Sequence, residues 1–209
     1  THNIDYCINA AAYTNVEKAE NDQENAFLVN AEAVKNIAKY CKAANTTLIQ
    51  VSTDYVFDGK KGSSYTEEDQ TNPINVYGAS KLKGEKYIQE ICDAFFIIRT
   101  SWLYSQYGHN FLNTILKYGG EGKKLTITTE QTGTPTNAND LALSLLNVID
   151  SKTKDYGVYH FSNKGKTTWY DFAKAVFEIQ GLPVKVKPIE SSQYPTPAKR
   201  PFYSVLNKT

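Results

Sequence analysis

Three short apolar segments, DYCINAAA (5–12), TTLIQVS (46–52) and DAFFIIRTS (93–101), alternate with two helical patterns, and that alternation leaves few folds open. Each segment is too short for a buried helix. Each runs into small or polar residues, as a strand covered on both faces does where it meets a ligand-facing loop. Between the first two, Ala26, Val29, Ala33, Ile37, Ala38 and Cys41 recur at three- and four-residue intervals, which predicts a helix from about Asp22 to Ala44 with one buried stripe. A second helix is predicted from about Val76 to Cys92. Strand, helix, strand, helix, strand is the doubly wound α/β arrangement, a Rossmann-like parallel sheet whose ligands lie beyond the carboxyl ends of the strands.

After Trp102 the rhythm loosens. Helices are predicted near 109–118, 139–149 and 168–180, and strands at 124–128, 157–162 and 184–189. The change predicts a smaller lobe interleaved with the last elements of the sheet, dividing the chain into 1–105 and 106–209. The stretch TDYVFDGKKGSSYTEEDQTNPIN (53–75) exceeds the roughly 12–15 residues of ordinary connections, and such loops carry function or are disordered. Its Tyr55, Val56, Phe57, Tyr65 and Pro73 predict order. Glu67, Glu68 and Asp69 read as a solvated part of it, and SSQYPTPAKRPF reads as extended chain.

Composition excludes several functional classes. The formal charge is +1, with 23 basic and 22 acidic residues interspersed, so the basic footprint needed for nucleic acid or an anionic membrane surface is missing. The longest apolar runs, such as FFII, fall far short of the roughly 18 residues of a membrane span. A small-molecule partner and a cytoplasmic location are expected. Cys7, Cys41 and Cys92 form no C-x-x-C pair and read as buried thiols, and His2, His109 and His160 are scattered, so no metal site is expected. The chain has no methionine, so Thr1 is expected either to be exposed by processing or not to be the natural start.

Two pairs have the Tyr-x-x-x-Lys spacing, Tyr77 with Lys81 and Tyr170 with Lys174, where chance supplies roughly 1.5 in a chain of this composition. Spacing therefore decides nothing. What precedes each pair does: Tyr77 follows a strand ending in Ser52, Thr53 and Asp54, whereas Tyr170 follows the simple turn KGKTT. Residues four apart share a helix face, so Lys81 can bring its ammonium near the Tyr77 phenol, lower its pKa from about 10 and fit it to exchange a proton with a carbonyl or alcohol oxygen. A neutral hydroxyl on Thr53 would hold that oxygen in line. None of the three can deliver hydride, so a nicotinamide cofactor is required.

The Tyr, Lys and Thr set resembles the short-chain dehydrogenase/reductase superfamily. The wider sequence is similar to its dTDP-4-dehydrorhamnose reductase branch through INAAAYTNVEKAE (8–20), VNAEAV (29–34), VSTDYVFDG (51–59), NVYGASKLKGE (75–85), IIRTSWLYSQYGHNF (97–111), QTGTPT (131–136) and RPFYSVL (200–206). The resemblance implies reduction, with NADPH or NADH, of the C4 ketone of dTDP-4-dehydro-6-deoxy-L-mannose to give dTDP-L-rhamnose. It makes Thr53, Tyr77 and Lys81 the catalytic three, with Tyr77 as proton donor. Ala12, Tyr13 and Thr14 would lie along the cofactor together with Tyr77 and Lys81, the last holding the ribose hydroxyls. Thr53, Asp54 and Trp102 would contact the dTDP-sugar. Arg200, whose guanidinium suits a pyrophosphate or a neighbouring carboxylate, is a further binding candidate. Related dehydratases carry Thr-Asp-Glu where this chain has Thr53-Asp54-Tyr55, which favours reduction over elimination.

The branch opens with a Gly-x-x-Gly-x-x-Gly turn after its first strand, where backbone meets the cofactor pyrophosphate. This sequence has no such turn, so it is expected to be a fragment that lacks the first strands, roughly 60–70 residues, and alone binds cofactor weakly. The branch also continues for a short segment beyond RPFYSVLNKT. An alternative from another class is a non-catalytic subunit, because the regulatory beta subunit of methionine adenosyltransferase resembles the same branch. A homodimer is one candidate assembly, and the sequence does not choose the oligomeric state.

Overall fold

The computed structural model describes residues 4–208. Its centre is a parallel sheet of β1 (Tyr6–Asn9), β2 (Thr47–Thr53), β3 (Phe95–Thr100) and a later strand, Gly157–His160, in that order. Side chains alternate between its two faces. Leu48 and Ile97 pack with Val34, Ala38, Cys41, Ile88 and Cys92, and Ile49, Phe96 and Ile98 pack with Leu141 and Leu145. With helices on both faces the central strands β2 and β3 are covered on both sides and read as continuous apolar runs, while Ile8 on β1 and Tyr159 on the last strand stay exposed.

The helical residues on the first face are α1 (Val16–Ala19), α2 (Gln23–Phe27), a π-turn (Leu28–Glu32), α3 (Ala33–Ala43) and α4 (Val76–Ile91). The expected single stripe is corrected here. Val29 and Ala33 are exposed, and Ile37 is only partly covered; the buried set is Ala26, Asn30, Ala31, Val34, Ala38 and Cys41. A π-turn spends an extra residue per turn and so rotates the helix face beyond it. Asn30 turns inward because its amide has buried partners, described below.

Helix α4 begins where Asn75, in extended conformation, accepts from the Gly78 N–H at 2.7 Å. Gly78 itself is required by packing, since a Cβ there would stand 2.2 Å from the Tyr55 carbonyl oxygen. The helix ends at Cys92, whose N–H bonds to Ile88 O at 2.8 Å.

The rest of the chain is β4 (Leu103–Tyr104), α5 (Phe111–Gly120), β5 (Leu125–Thr128), β6 (Thr132–Gly133), β7 (Thr136–Asn137), α6 (Ala138–Ser151), β8 (Gly157–His160), β9 (Thr167–Thr168), α7 (Trp169–Ile179) and β10 (Val186–Ile189). Helix α6 covers the second face of the sheet. A separate apolar cluster of Ile115, Ile127, Ala173 and Phe177 joins α5, β5 and α7, with β10 parallel to β5. The pairs β4 with β7 and β6 with β9 are two residues long.

The long stretch after β2 is ordered. Phe57 stacks on Tyr65 at 4.2 Å, and both pack with Val56 and Leu206 near the carboxyl end. Glu67 is not simply solvated: it accepts from the His160 N–H at 2.8 Å and so ties the stretch to β8. Cys41 and Cys92 are buried, Cys7 is partly buried, and all three are free thiols. Among the described residues no helix is long and apolar enough to cross a membrane.

Candidate active site

The carboxyl end of β2 delivers Val51, Ser52 and Thr53, and the chain then turns through one 3₁₀ turn, Asp54–Val56. Thr53 caps that turn by accepting from the Tyr55 N–H at 3.1 Å, and its hydroxyl donates to Asp54 Oδ1 at 3.1 Å. The first turn of α4 sets Tyr77 beside Tyr55, their rings edge to face at 5.9 Å. One turn on, Lys81 is buried and donates from Nζ to the Val51 carbonyl at 2.7 Å.

This geometry corrects one expectation about the pair. The Tyr77 phenol is pushed above its ordinary value, not below it: burial dominates, the Thr53 hydroxyl pulls it back, and Asp54 and Tyr55 add to the rise. Lys81 spends a hydrogen on a backbone carbonyl of β2. Burial also pushes the Lys81 ammonium down to about 8, against the opposing charge of Glu85. At neutral pH the pair is thus a neutral phenol, able to donate, beside a charged amine.

Ala12, Thr14, Thr53, Asp54, Tyr77, Lys81 and Trp102 all line one cavity of about 400 Å³. Asp54 is almost fully buried, its Oδ2 has no partner, and desolvation raises its pKa to about 7 against hydrogen bonds from Ser204 and Thr53. A carboxyl in that state is suited to a ligand hydroxyl.

Tyr13 and Arg200 do not line this cavity. Asn30 holds Tyr13 by its backbone, accepting from its N–H at 2.9 Å and donating to its carbonyl at 3.0 Å, while the phenol donates to Asp22 at 3.0 Å. The same Asn30 amide reaches Ser80 Oγ at 3.0 Å, so one side chain fastens the loop after β1 to α4. Sequence reasoning missed Asn30 because it looked for apolar residues; its place four residues after Ala26 and four before Val34 was the available signal. Arg200 donates to Glu17 Oε1 at 2.5 Å and lines a neighbouring cavity of about 420 Å³ with Tyr118, Thr128 and Tyr194.

Trp102 adopts a left-handed backbone conformation, φ 47°, and stacks on Trp169 at 3.6 Å with the planes 7° apart. A Cβ on Gly133 would come within 2.4 Å of the indole. Trp169 and His109, neither singled out from the sequence, complete the cavity wall, and Trp169 borders the second cavity as well. The other Tyr–Lys pair does nothing comparable: Lys174 is exposed and lies 5.4 Å over the ring of Tyr170. Among the described residues no group of three or more His, Cys, Asp or Glu is arranged to hold a metal ion.

The sequence matches the family described as RmlD substrate binding domain over residues 1–209. It is 41% identical over 212 residues to the dTDP-4-dehydrorhamnose reductase of Sinorhizobium fredii, covering 97% of this chain and 72% of that protein. The chain belongs to the dTDP-4-dehydrorhamnose reductase family, RmlD. Two solved RmlD structures superimpose closely. The reductase of Bacillus anthracis in complex with NADP gives a TM-score of 0.95 at 38% identity, over 98% of this chain and 72% of that one. The ortholog from Clostridium acetobutylicum gives 0.94 at 42% identity, with the same coverage. Against this RmlD frame the α/β reading of the sequence holds, with a parallel sheet as predicted.

Proposed function

We propose that this RmlD chain reduces the C4 ketone of dTDP-4-dehydro-6-deoxy-L-mannose to the alcohol of dTDP-L-rhamnose, with NADPH or NADH as the reductant. The observation that carries the reading is the meeting of Thr53, Asp54, Tyr77 and Lys81 in one cavity at the carboxyl end of β2, within a chain of this family. Small residues on the loop after β1, Ala12 and Thr14, leave room for a nicotinamide cofactor along one wall. Lys81 has one carbonyl partner among the described residues and three hydrogens to give, so it can also hold ribose hydroxyls.

A bound nicotinamide supplies the hydride, and the chain supplies the rest. Tyr77 is held neutral by burial and gives its proton to the ketone oxygen as that oxygen gains charge. The Thr53 hydroxyl orients the same oxygen. Lys81 then stabilises the phenolate left on Tyr77, since a positive charge nearby favours the ionised form. Asp54 takes a sugar hydroxyl, and Trp102 walls the far side. Tyr55 occupies the place where elimination would need a second carboxyl, and it packs on Tyr77 instead. With this reading go a cytoplasmic location, in keeping with the free thiols, and a homodimer as the assembly to look for.

Product analysis tests it. The full-length protein carrying this chain, incubated with the keto sugar nucleotide and either NADPH or NADH, should yield dTDP-L-rhamnose by chromatography and NMR. Unchanged substrate, or a product eliminated rather than reduced, would remove the assignment.

A further inference from the structure

Glu85, one turn beyond Lys81 on α4, is 1% exposed, and Arg99 on β3 is 4% exposed. Arg99 Nη2 donates to Glu85 Oε2 at 2.7 Å, and its Nε lies 3.1 and 3.2 Å from the two carboxylate oxygens. Ser52 Oγ donates to Glu85 Oε1 at 2.5 Å, and the guanidinium rests 5.3 Å over the ring of Phe57. Burying such a pair gains little stability, because desolvation of both ions offsets their attraction. Its position is therefore informative. Consecutive residues of β2 are engaged in order: the Val51 carbonyl by Lys81, the Ser52 hydroxyl by Glu85, and Thr53 by the turn into the cavity.

We propose that Glu85 and Arg99 are positioning residues that act through Lys81: their ion pair fastens α4 to β3, the Ser52 hydroxyl on Glu85 extends the clamp to the end of β2, and the two opposite charges lie balanced behind the ammonium. This rests on the reductase reading, in which Lys81 works as a cation. Glu85 favours the charged form of Lys81, and the Arg99 charge works against Glu85. The other titratable groups around this point are Tyr77 on α4, Asp54 and Tyr55 after β2, and His160 on β8 with Glu67 beside it. Asp54 sits at about 7, Tyr55 at about 12 and Tyr77 higher still, and His160 is held below its ordinary value mainly by burial.

The clamp predicts displacements of opposite sign in the alkaline limb of kcat/KM, where Lys81 loses its proton. Glu85→Gln leaves Arg99 unbalanced and should move the limb down by about one pH unit; Arg99→Gln leaves Glu85 unbalanced and should move it up by a similar amount. Ser52→Ala, which removes only a hydroxyl and keeps both charges, should move it up by a few tenths, because the carboxylate loses a donor. Glu85→Gln combined with Arg99→Gln should restore a limb close to that of the unsubstituted protein.

A merely structural ion pair would lower activity and stability in both single variants without moving the limb in opposite directions, and that result would overturn the proposal. Should the charge variants fail to fold, Ser52→Ala decides, and an unmoved limb counts against it. Failure of the unsubstituted protein to turn over any keto sugar would instead refute the reductase reading. The pH dependence of NADPH binding, read by its fluorescence, then carries the same comparison.

Discussion

The ammonium of Lys81 donates to the carbonyl of Val51 at 2.7 Å, so the helix that carries Tyr77 is tied to the strand that carries Thr53. Tyr77, Lys81 and Thr53 are held by helix-to-strand contacts, this one together with the Ser52–Glu85 hydrogen bond one turn on, not by a flexible loop. Tyr55 packs against the edge of the Tyr77 ring.

Lys81→Met should therefore cost turnover more than stability. A loss of at least about 10²-fold in kcat is expected where a general acid loses its supporting charge. The Val51 carbonyl is stranded at a cost of about 1–3 kcal/mol, but a buried ammonium is removed as well, so the urea midpoint should shift only modestly. Near-normal kcat in a folded variant would contradict the assigned role.

Asp54 imposes a pH dependence whose sign is fixed. Its carboxyl sits at about 7 in the folded protein against 3.8 as its ordinary value, so between those values the folded state binds more protons than the unfolded one. Stability contributed by this group is full below about pH 4 and is lost as pH rises toward 7. Asp54→Asn should flatten that decline and raise stability at pH 7.5, with a ceiling of about 4 kcal/mol. It should also raise KM for the sugar nucleotide. Denaturant melts at pH 5 and 7.5 check the first, and a variant that steepens the decline would refute it.

Asn30→Ala removes partners from the Tyr13 N–H and carbonyl together. A destabilisation of about 1–3 kcal/mol is expected, along with a higher KM for the nicotinamide cofactor and little change in KM for the sugar. Equal effects on both substrates would mean that the loop after β1 does not serve the cofactor.

The two tryptophans of this chain are stacked on each other, so the indole emission of these residues reports on that contact. Gly133→Ala would drive a methyl to 2.4 Å from Trp102 and should shift the emission while costing about 1–3 kcal/mol through overpacking. An unchanged spectrum and melting point would mean that the stack tolerates a displacement it has no visible room for.

Much of the fold was legible because apolar runs and helical periodicity are local signals. The first strand, read as 5–12, is Tyr6–Asn9, and the second helix, read as 76–92, is Val76–Ile91. Thr53, Asp54, Tyr77 and Lys81 were legible because they stand at the end of a strand and the start of a helix. What escaped depended on distant parts of the chain. The π-turn that swings Asn30 inward is held by Tyr13 and Ser80. Trp169 reaches the cavity from the start of α7, 67 residues along the sequence from Trp102. The rise in the Tyr77 pKa follows from burial, which a Tyr-x-x-x-Lys spacing does not encode.

The most direct measurement is the rate of NADPH absorbance loss on adding dTDP-4-dehydro-6-deoxy-L-mannose to the full-length protein, its Tyr77→Phe variant and its Tyr170→Phe variant. Tyr77→Phe should fold and bind cofactor normally while losing roughly 10²–10⁴-fold in kcat, and Tyr170→Phe should match the unsubstituted protein. Near-normal turnover by Tyr77→Phe would contradict its role as the proton donor.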